Sequence, residues 1–284
     1  VLFRSHHCRA LSFLIICSWE SMKHFVLVHG ACHGAWCWYK LATLLKQAGH
    51  RVTALDLGGC GVHPKPLEEI RTIDDYLEPL MAFIGSLDAD GSDGDGDQKV
   101  ILVGHSFGGI PISLAMEKFP DRALVAVFVS AFMPNISSPP FTLVEETFKR
   151  IPVEQFLDTS FSYDNGPENE PASALFGPNI LATRLYQNCP PEDVELGKLL
   201  VKRSKVFSED LAKEGLLTEG RFGKVDRVYI ICEEDEIVKP DFQQWMIDRG
   251  PPSQVISIPK ADHMVMLSRP QQLCLSLLDV ADKY

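Results

Sequence analysis

A chain of 284 residues with 45% hydrophobic and 23% charged residues can bury one large α/β domain or two small ones. Its formal net charge of −11 argues against nucleic acid as a partner. The eight cysteines, at positions 8, 17, 32, 37, 60, 189, 232 and 274, are sparse and lack C-x-x-C spacing. They exclude a disulfide scaffold and point to a reducing compartment, with Cys232 and Cys274 expected as core thiols.

Residues 1–21 are read as a leader or non-native extension, with a targeting segment as the alternative. Arg4 and Arg9 precede an apolar stretch, Leu11 to Cys17, that is too short to span a bilayer and has no small-residue cleavage site after it. Met22 then stands directly before an apolar strand, His24 to Val28. Alternating elements follow: a helix from Trp36 to Ala48, a strand from Arg51 to Leu55, a helix from Thr72 to Leu87, and a strand from Lys99 to Val103. A helix from Gly109 to Phe119 and a strand from Leu124 to Val129 continue the rhythm. It resumes with strands Arg227–Cys232 and Gln254–Ile258 and helices Asp241–Arg249 and Pro270–Lys283. Strands apolar on both faces, alternating with helices, predict a mostly parallel sheet with helices on both faces.

Residues 132–206 interrupt this pattern with prolines at 134, 139, 140, 152, 167, 171, 178, 190 and 191. They are read as a mostly helical cap over the C-terminal edge of the sheet, where ligands bind in open α/β folds. One cap helix is expected from Asp193 to Val201, with Leu196, Leu199 and Leu200 on one face. Residues 22–131 and 207–284 form the core. The acidic run Asp88, Asp90, Asp93, Asp95 and Asp97 fails the EF-hand register from either start and is read as a loop.

Gly104-His105-Ser106-Phe107-Gly108 fits G-x-S-x-G between a strand and a helix. A serine on so tight a turn is forced outward, and its flanking glycines relieve the crowding, so Ser106 is the expected nucleophile. The Phe107 N–H, at the helix N-terminus, can stabilise an oxyanion. The loop His29-Gly30-Ala31-Cys32-His33-Gly34 can supply a second donor, the Ala31 N–H. His29 and His33 lack further ligands at metal spacing, so no metal is expected and the two rings are given structural hydrogen bonds. His263, just past the last strand, is the expected base. Glu233, Glu234, Asp235 and Glu236 follow the preceding strand together, and spacing alone does not separate them. Asp235 is preferred, with Glu234 as runner-up; Asp241 is read as a first-turn helix residue.

Taken together, these motifs resemble the plant methylesterase and hydroxynitrile lyase family of α/β-hydrolases. The matching pieces are residues 25–34, 49–57 and 104–109, then Leu185-Tyr186-Gln187-Asn188-Cys189 and Ala261-Asp262-His263-Met264-Val265-Met266-Leu267. The resemblance spans residues 23–284, implies the α/β-hydrolase fold, and brings the family's acid onto Asp235. The (S)-selective lyases of that family carry threonine at the Gly30 position and lysine at the Met264 position, and the (R)-selective ones carry asparagine at the former. A departing cyanide needs a cation that Met264 does not provide, so the resemblance favours an esterase. Gly58-Gly59-Cys60-Gly61 departs from the relatives.

The expected activity is a serine carboxylesterase acting on the methyl ester of a small or medium apolar acid, such as a plant hormone or alkaloid intermediate. No cofactor is needed. Gly30, His105, Phe156 and Met264 are expected to line the pocket. A β-keto or β-formyl product would lose CO2 unaided. The alternatives are a hydroxynitrile lyase using the same triad and a non-catalytic hormone-binding protein on the same scaffold. No membrane or nucleic-acid partner is expected, a cytoplasmic location is, and a homodimer is left open.

Overall fold

A computed structural model describes residues 22–87, 99–163, 166 and 171–284. The expectations for residues 1–21 and for the acidic run at 88–97 fall outside the described residues. Six strands form one sheet: β1 (His24–Val28), β2 (Arg51–Leu55), β3 (Val100–His105), β4 (Ala123–Val129), and, after the interruption, Arg227–Cys232 and Gln254–Ile258. Between β4 and Arg227 lie three short strands, β5 (Ser160–Ser162), β6 (Ser173–Leu175) and β7 (Ser204–Lys205), so the last two strands of the main sheet are β8 and β9. Its order is β2-β1-β3-β4-β8-β9, and every pairing in it is parallel.

All five residues of β1 and all six of β3 are buried, as strands covered on both faces must be. Phe25, Leu27, Ile101 and Val103 point into one core layer, while Val26, Val28, Val100 and Leu102 point into the other. Each such side chain withdrawn from water contributes about 1.5–3 kcal/mol. The helix Ile73–Ser86 is started by a reciprocal cap: the Asp75 N–H donates to Thr72 Oγ1 at 3.2 Å, and the Thr72 N–H to Asp75 Oδ2 at 3.0 Å. The expected helix from Trp36 opens as a 3-10 turn, Ala35–Trp38, before its α-helical part, Tyr39–Gln47.

The Gly58–Gly61 stretch has a local reason. Gly61 has φ +48° and packs on Asp56, and a Cβ there would lie 2.0 Å from Asp56 Oδ1. That carboxylate accepts the Ala35 N–H at 2.6 Å and the Val62 N–H at 3.1 Å. Gly61 therefore lets the loop close over this half-buried turn anchor.

The region between β4 and β8 differs from expectation in two ways. Beside its helices, Thr142–Arg150 and Pro191–Leu200, it contains a three-stranded antiparallel sheet, β5-β6-β7. Period-two patterning has little to show in strands of two or three residues. The leucine face expected on the second helix is also not its buried face: Leu199 is 79% exposed, and the buried residues are Asp193 and Gly197. Asp193 accepts hydrogen bonds from Tyr39 Oη at 2.7 Å and from Lys40 Nζ, both on the core. At Gly197 a Cβ would meet Tyr186 Cζ at 2.8 Å. A charge anchor and a close approach orient this helix in place of an apolar stripe.

Candidate active site

Parallel register brings the site together. Val28 pairs with Gly104, His105 with Val129, Val129 with Ile230, and Cys232 with Ile258. The chain thus leaves β1, β3, β4, β8 and β9 at one edge of the sheet, and the loops there carry Ala31, Ser106, Ser130, Asp235 and His263.

Ser106 has φ +53°, in the left-handed region that non-glycine residues rarely enter. The turn is sterically closed on the protein side. A Cβ at Gly104 would lie 2.7 Å from the Gly108 carbonyl oxygen, and one at Gly108 would lie 2.6 Å from the His29 carbonyl oxygen. The Phe132 N–H holds the Ser106 carbonyl at 2.9 Å. From Val100 to Ser113 every residue is buried except Ser106, and from Gly30 to Gly34 every one except Ala31. Both lie partly open at the same edge. A Cβ on Gly30 would come within 2.8 Å of Ser106 Cβ, so Gly30 clears space directly beside the serine.

His263 is 3% exposed, and its Nδ1 lies 2.7 Å from Asp235 Oδ2. Asp235 is 2% exposed, whereas Glu233 and Glu234 are exposed and Glu236 is partly so. The neighbours have other partners: Glu233 accepts from Ser257, Glu234 from Asn188, and Glu236 from Arg184. Asp241 sits in the first turn of the helix Pro240–Arg249 and pairs with Arg150. Asp235 Oδ1 receives the N–H groups of Ile237 at 2.7 Å and Val238 at 2.9 Å, and Oδ2 also receives the Ser130 hydroxyl. A buried carboxylate so supplied with donors is fixed in orientation.

Two histidines brace the loop after β1. His29 Nδ1 is 2.8 Å from the Gly30 carbonyl oxygen, and its Nε2 accepts the Leu57 N–H at 3.1 Å. His33 Nδ1 is 2.8 Å from the Ala31 carbonyl oxygen, and its Nε2 is 2.7 Å from Tyr186 Oη. Burial lowers the pKa of both rings, that of His33 to about 3, and both are therefore neutral. The expectation of structural hydrogen bonding for these two residues agrees with this geometry. Burial pushes the Cys32 thiol up to about 12, so this thiol beside Ala31 stays protonated.

The four residues expected at the pocket lie as follows. Gly30 abuts Ser106. His105 is 1% exposed; its Nε2 is 2.7 Å from the His263 carbonyl oxygen and its ring centroid 4.6 Å from that of His263. Met264 is fully buried in the core layer beside Leu185. Phe156 is 7% exposed and packs with Phe148 and Phe161, at centroid distances of 5.5 and 5.4 Å.

Sequence reasoning missed several supports. Ser130, at the end of β4, carried no motif, although a polar residue closing an apolar strand is a usable signal. Asp262 is fully buried and accepts from Asn188 N at 2.9 Å and Ser268 Oγ at 2.6 Å, and burial raises its pKa. Gln187 Nε2 donates to the Glu234 carbonyl at 2.7 Å. In the sequence, the segment Leu185–Cys189 stands out only through the family resemblance.

Residues 25–275 match the Alpha/beta hydrolase family. Salicylic acid-binding protein 2 of Nicotiana tabacum is 50% identical over 262 residues, covering 92% of this chain and 98% of the relative. Methyl jasmonate esterase 1 of Vitis vinifera is 48% identical, over 92% of this chain and 98% of the relative. The crystal structure of polyneuridine aldehyde esterase superposes with a TM-score of 0.85 at 45% identity, over 92% of this chain and 100% of that one. The chain belongs to the α/β-hydrolase family and, within it, to the plant methylesterases.

Proposed function

We propose that the chain is a serine carboxylesterase that hydrolyses the methyl ester of a small or medium apolar acid. The observation that carries this reading is the buried Asp235–His263 pair, 2.7 Å apart, at the sheet edge that also bears the strained turn of Ser106. His263 removes the Ser106 hydroxyl proton as Oγ attacks the ester carbonyl. The Ala31 and Phe107 N–H groups receive the developing oxyanion. His263 returns the proton to the departing methoxide, methanol leaves, and a water activated by the same ring resolves the acyl-enzyme. Asp235 fixes the imidazole tautomer throughout. Gly30, His105, Phe156 and Met264 belong to the substrate pocket in this reading, and residues 132–206 form the cap over it.

Neither metal nor cofactor enters these steps. No described helix is long and apolar enough to cross a membrane. The free cysteines at 32, 37, 60, 189, 232 and 274 favour a cytoplasmic place of action.

A panel of methyl esters of aromatic, oxylipin and alkaloid acids, assayed for methanol release, tests the activity. Mandelonitrile belongs in the same panel. Cyanide release faster than hydrolysis of the best ester would replace the esterase reading with a lyase one. Failure of every ester and of mandelonitrile would favour a binding protein.

A further inference from the structure

The loop after β1 must aim the Ala31 N–H, yet it has no regular secondary structure to hold it. Its rigidity comes from side chains, and one of them lies on a distant part of the chain. Tyr186 follows a π-helical turn, Leu181–Leu185, of the kind that often marks a functional position. It is 1% exposed and stacks on the His33 ring with centroids 5.8 Å apart and planes 19° apart. Trp36 also stacks on His33, with centroids 5.4 Å apart and planes 28° apart.

Hydrogen-bond chemistry fixes the direction of each proton. The Ala31 carbonyl can only accept, so the His33 Nδ1 at 2.8 Å carries the hydrogen. In a neutral ring Nε2 is then a bare acceptor, and the tyrosine hydroxyl at 2.7 Å must be its donor. The relay therefore runs Tyr186 O–H to His33 Nε2, then His33 Nδ1–H to the Ala31 carbonyl oxygen. Each link admits only one direction. His29 Nδ1 holds the Gly30 carbonyl at 2.8 Å. A peptide unit is planar and trans, so the Ala31 N–H points opposite to the Gly30 carbonyl. The two rings thus hold the peptide units before and after Ala31.

We propose that Tyr186 and His33 are a positioning pair for the oxyanion site, through which residue 186 sets the aim of the Ala31 N–H. Neither touches the reacting atoms. The neighbouring residues extend the same tie: Gln187 and Asn188 bind Glu234, and Asn188 N binds Asp262. One five-residue segment therefore reaches the loops bearing Ala31, Asp235 and His263.

The proposal rests on the assignment of Ala31 to the oxyanion site, and the tests separate the two. Tyr186→Phe keeps the ring stack and removes only the donor. On the best methyl ester its kcat is expected to fall roughly tenfold with KM changed less than about twofold, since a displaced donor weakens the transition state more than the ground state. His33→Leu should fall at least as far, and His33→Asn, whose side-chain N–H can replace Nδ1–H, should recover most of that loss. Nitrogen-15 spectra of the wild-type histidines should show His33 as the neutral Nδ1–H tautomer, with that population reduced in Tyr186→Phe. An unchanged kcat in Tyr186→Phe, an Nε2–H tautomer in the wild type, or His33→Asn as impaired as His33→Leu would each overturn the proposal. A lower melting temperature with kcat intact would also overturn it, by reducing the pair to a structural contact. Full activity in Ser106→Ala would instead remove the parent reading and leave the tautomer result standing.

Discussion

In the main sheet, burial runs along whole strands; between β4 and β8 it comes in short apolar stretches joined by a few buried polar residues, Thr147, Ser173, Asp193 and Ser204. β1, β3 and most of β4 are apolar and enclosed, and their partners are other apolar strands and helices. The helix Pro191–Leu200 turns Asp193 and Gly197 inward and leaves Leu199 to solvent. The first region is held by area removed from water, which is non-directional and tolerant of substitution in kind. The second shares in that burial, through residues such as Phe141, Leu143, Ile180 and Leu185, and adds directed contacts to particular core atoms, such as Asp193 to Tyr39 and Gln187 to the Glu234 carbonyl. Such contacts contribute less stability each but fix geometry. In the reading proposed above, the sheet therefore supplies the scaffold on which the reacting groups stand, and the region between β4 and β8 supplies alignment.

The largest effects are expected where the sheet edge carries the chemistry. Ser106→Ala should lower kcat by about 10³-fold or more, because no other partly open hydroxyl stands on the strained turn. Retention of a tenth of the activity would break the assignment. Asp235→Asn is the next largest, at about 10²–10⁴-fold, since an amide presents the wrong partner to His263 Nδ1. Glu234→Gln, on the same loop but exposed and paired with Asn188, should stay within about threefold by the ordinary standard for surface changes. Equal losses in the two variants would mean that burial does not choose the acid.

The difference between the regions also explains what was legible in advance. β1, β2, β8 and β9 run over the residues read from their apolar runs, and this holds even for the edge strands β2 and β9, which are partly exposed. Ser106 and His263 could be expected from the sequence because motif and strand order confine where such residues can stand, whereas Asp235 stands among four carboxylates and its choice leaned on the family resemblance. Ser130 was not legible, because its role depends on β4 lying beside β8, a tertiary fact. Tyr186 and Asp193 were illegible for the same reason: their partners, His33 and Tyr39, are about 150 positions away. The expected Leu196–Leu200 face failed because helical periodicity ranks apolar residues and has no term for a buried carboxylate that finds two donors.

Matched stability variants sharpen the contrast at smaller magnitude. Val127→Ala, in the fully buried part of β4, should cost about 2–4 kcal/mol, the range for opening a cavity in a packed core. It should leave kcat of the folded fraction near that of the wild type. Gly197→Ala places a Cβ against the Tyr186 ring and should cost about 1–3 kcal/mol as overpacking. It should nevertheless depress kcat more than Val127→Ala does, because the ring it displaces donates to His33. Urea unfolding alongside steady-state kinetics reads both quantities. The reverse order in kcat would show that cap geometry does not reach the site.

The smallest prediction concerns acid, and its sign comes from histidines on the main sheet and the loops at its edge. His29, His33 and His105 are buried and neutral, and burial lowers all three pKa values. His24, pulled down to about 4, acts in the same sense. In the unfolded chain these rings take up protons near pH 6.5, while in the native state they do so only at much lower pH. Between those limits the unfolded chain binds more protons, so stability is flat above pH 6.5 and falls as the pH drops below it. Each fully buried ring contributes a slope of about 1.4 kcal/mol per pH unit in that window. Asp262 works the other way, since a carboxyl with a raised pKa binds its proton more readily in the native state. The net slope is therefore shallower than the histidines alone would give. Unfolding free energies measured from pH 7 to 4.5 should decline, and the His33→Asn variant should decline less steeply than the wild type. A flat profile across that range would mean that the rings take up protons inside the folded protein. The neutral bracing of the loop after β1 would then fail together with the distinction between an apolar scaffold and a polar alignment layer.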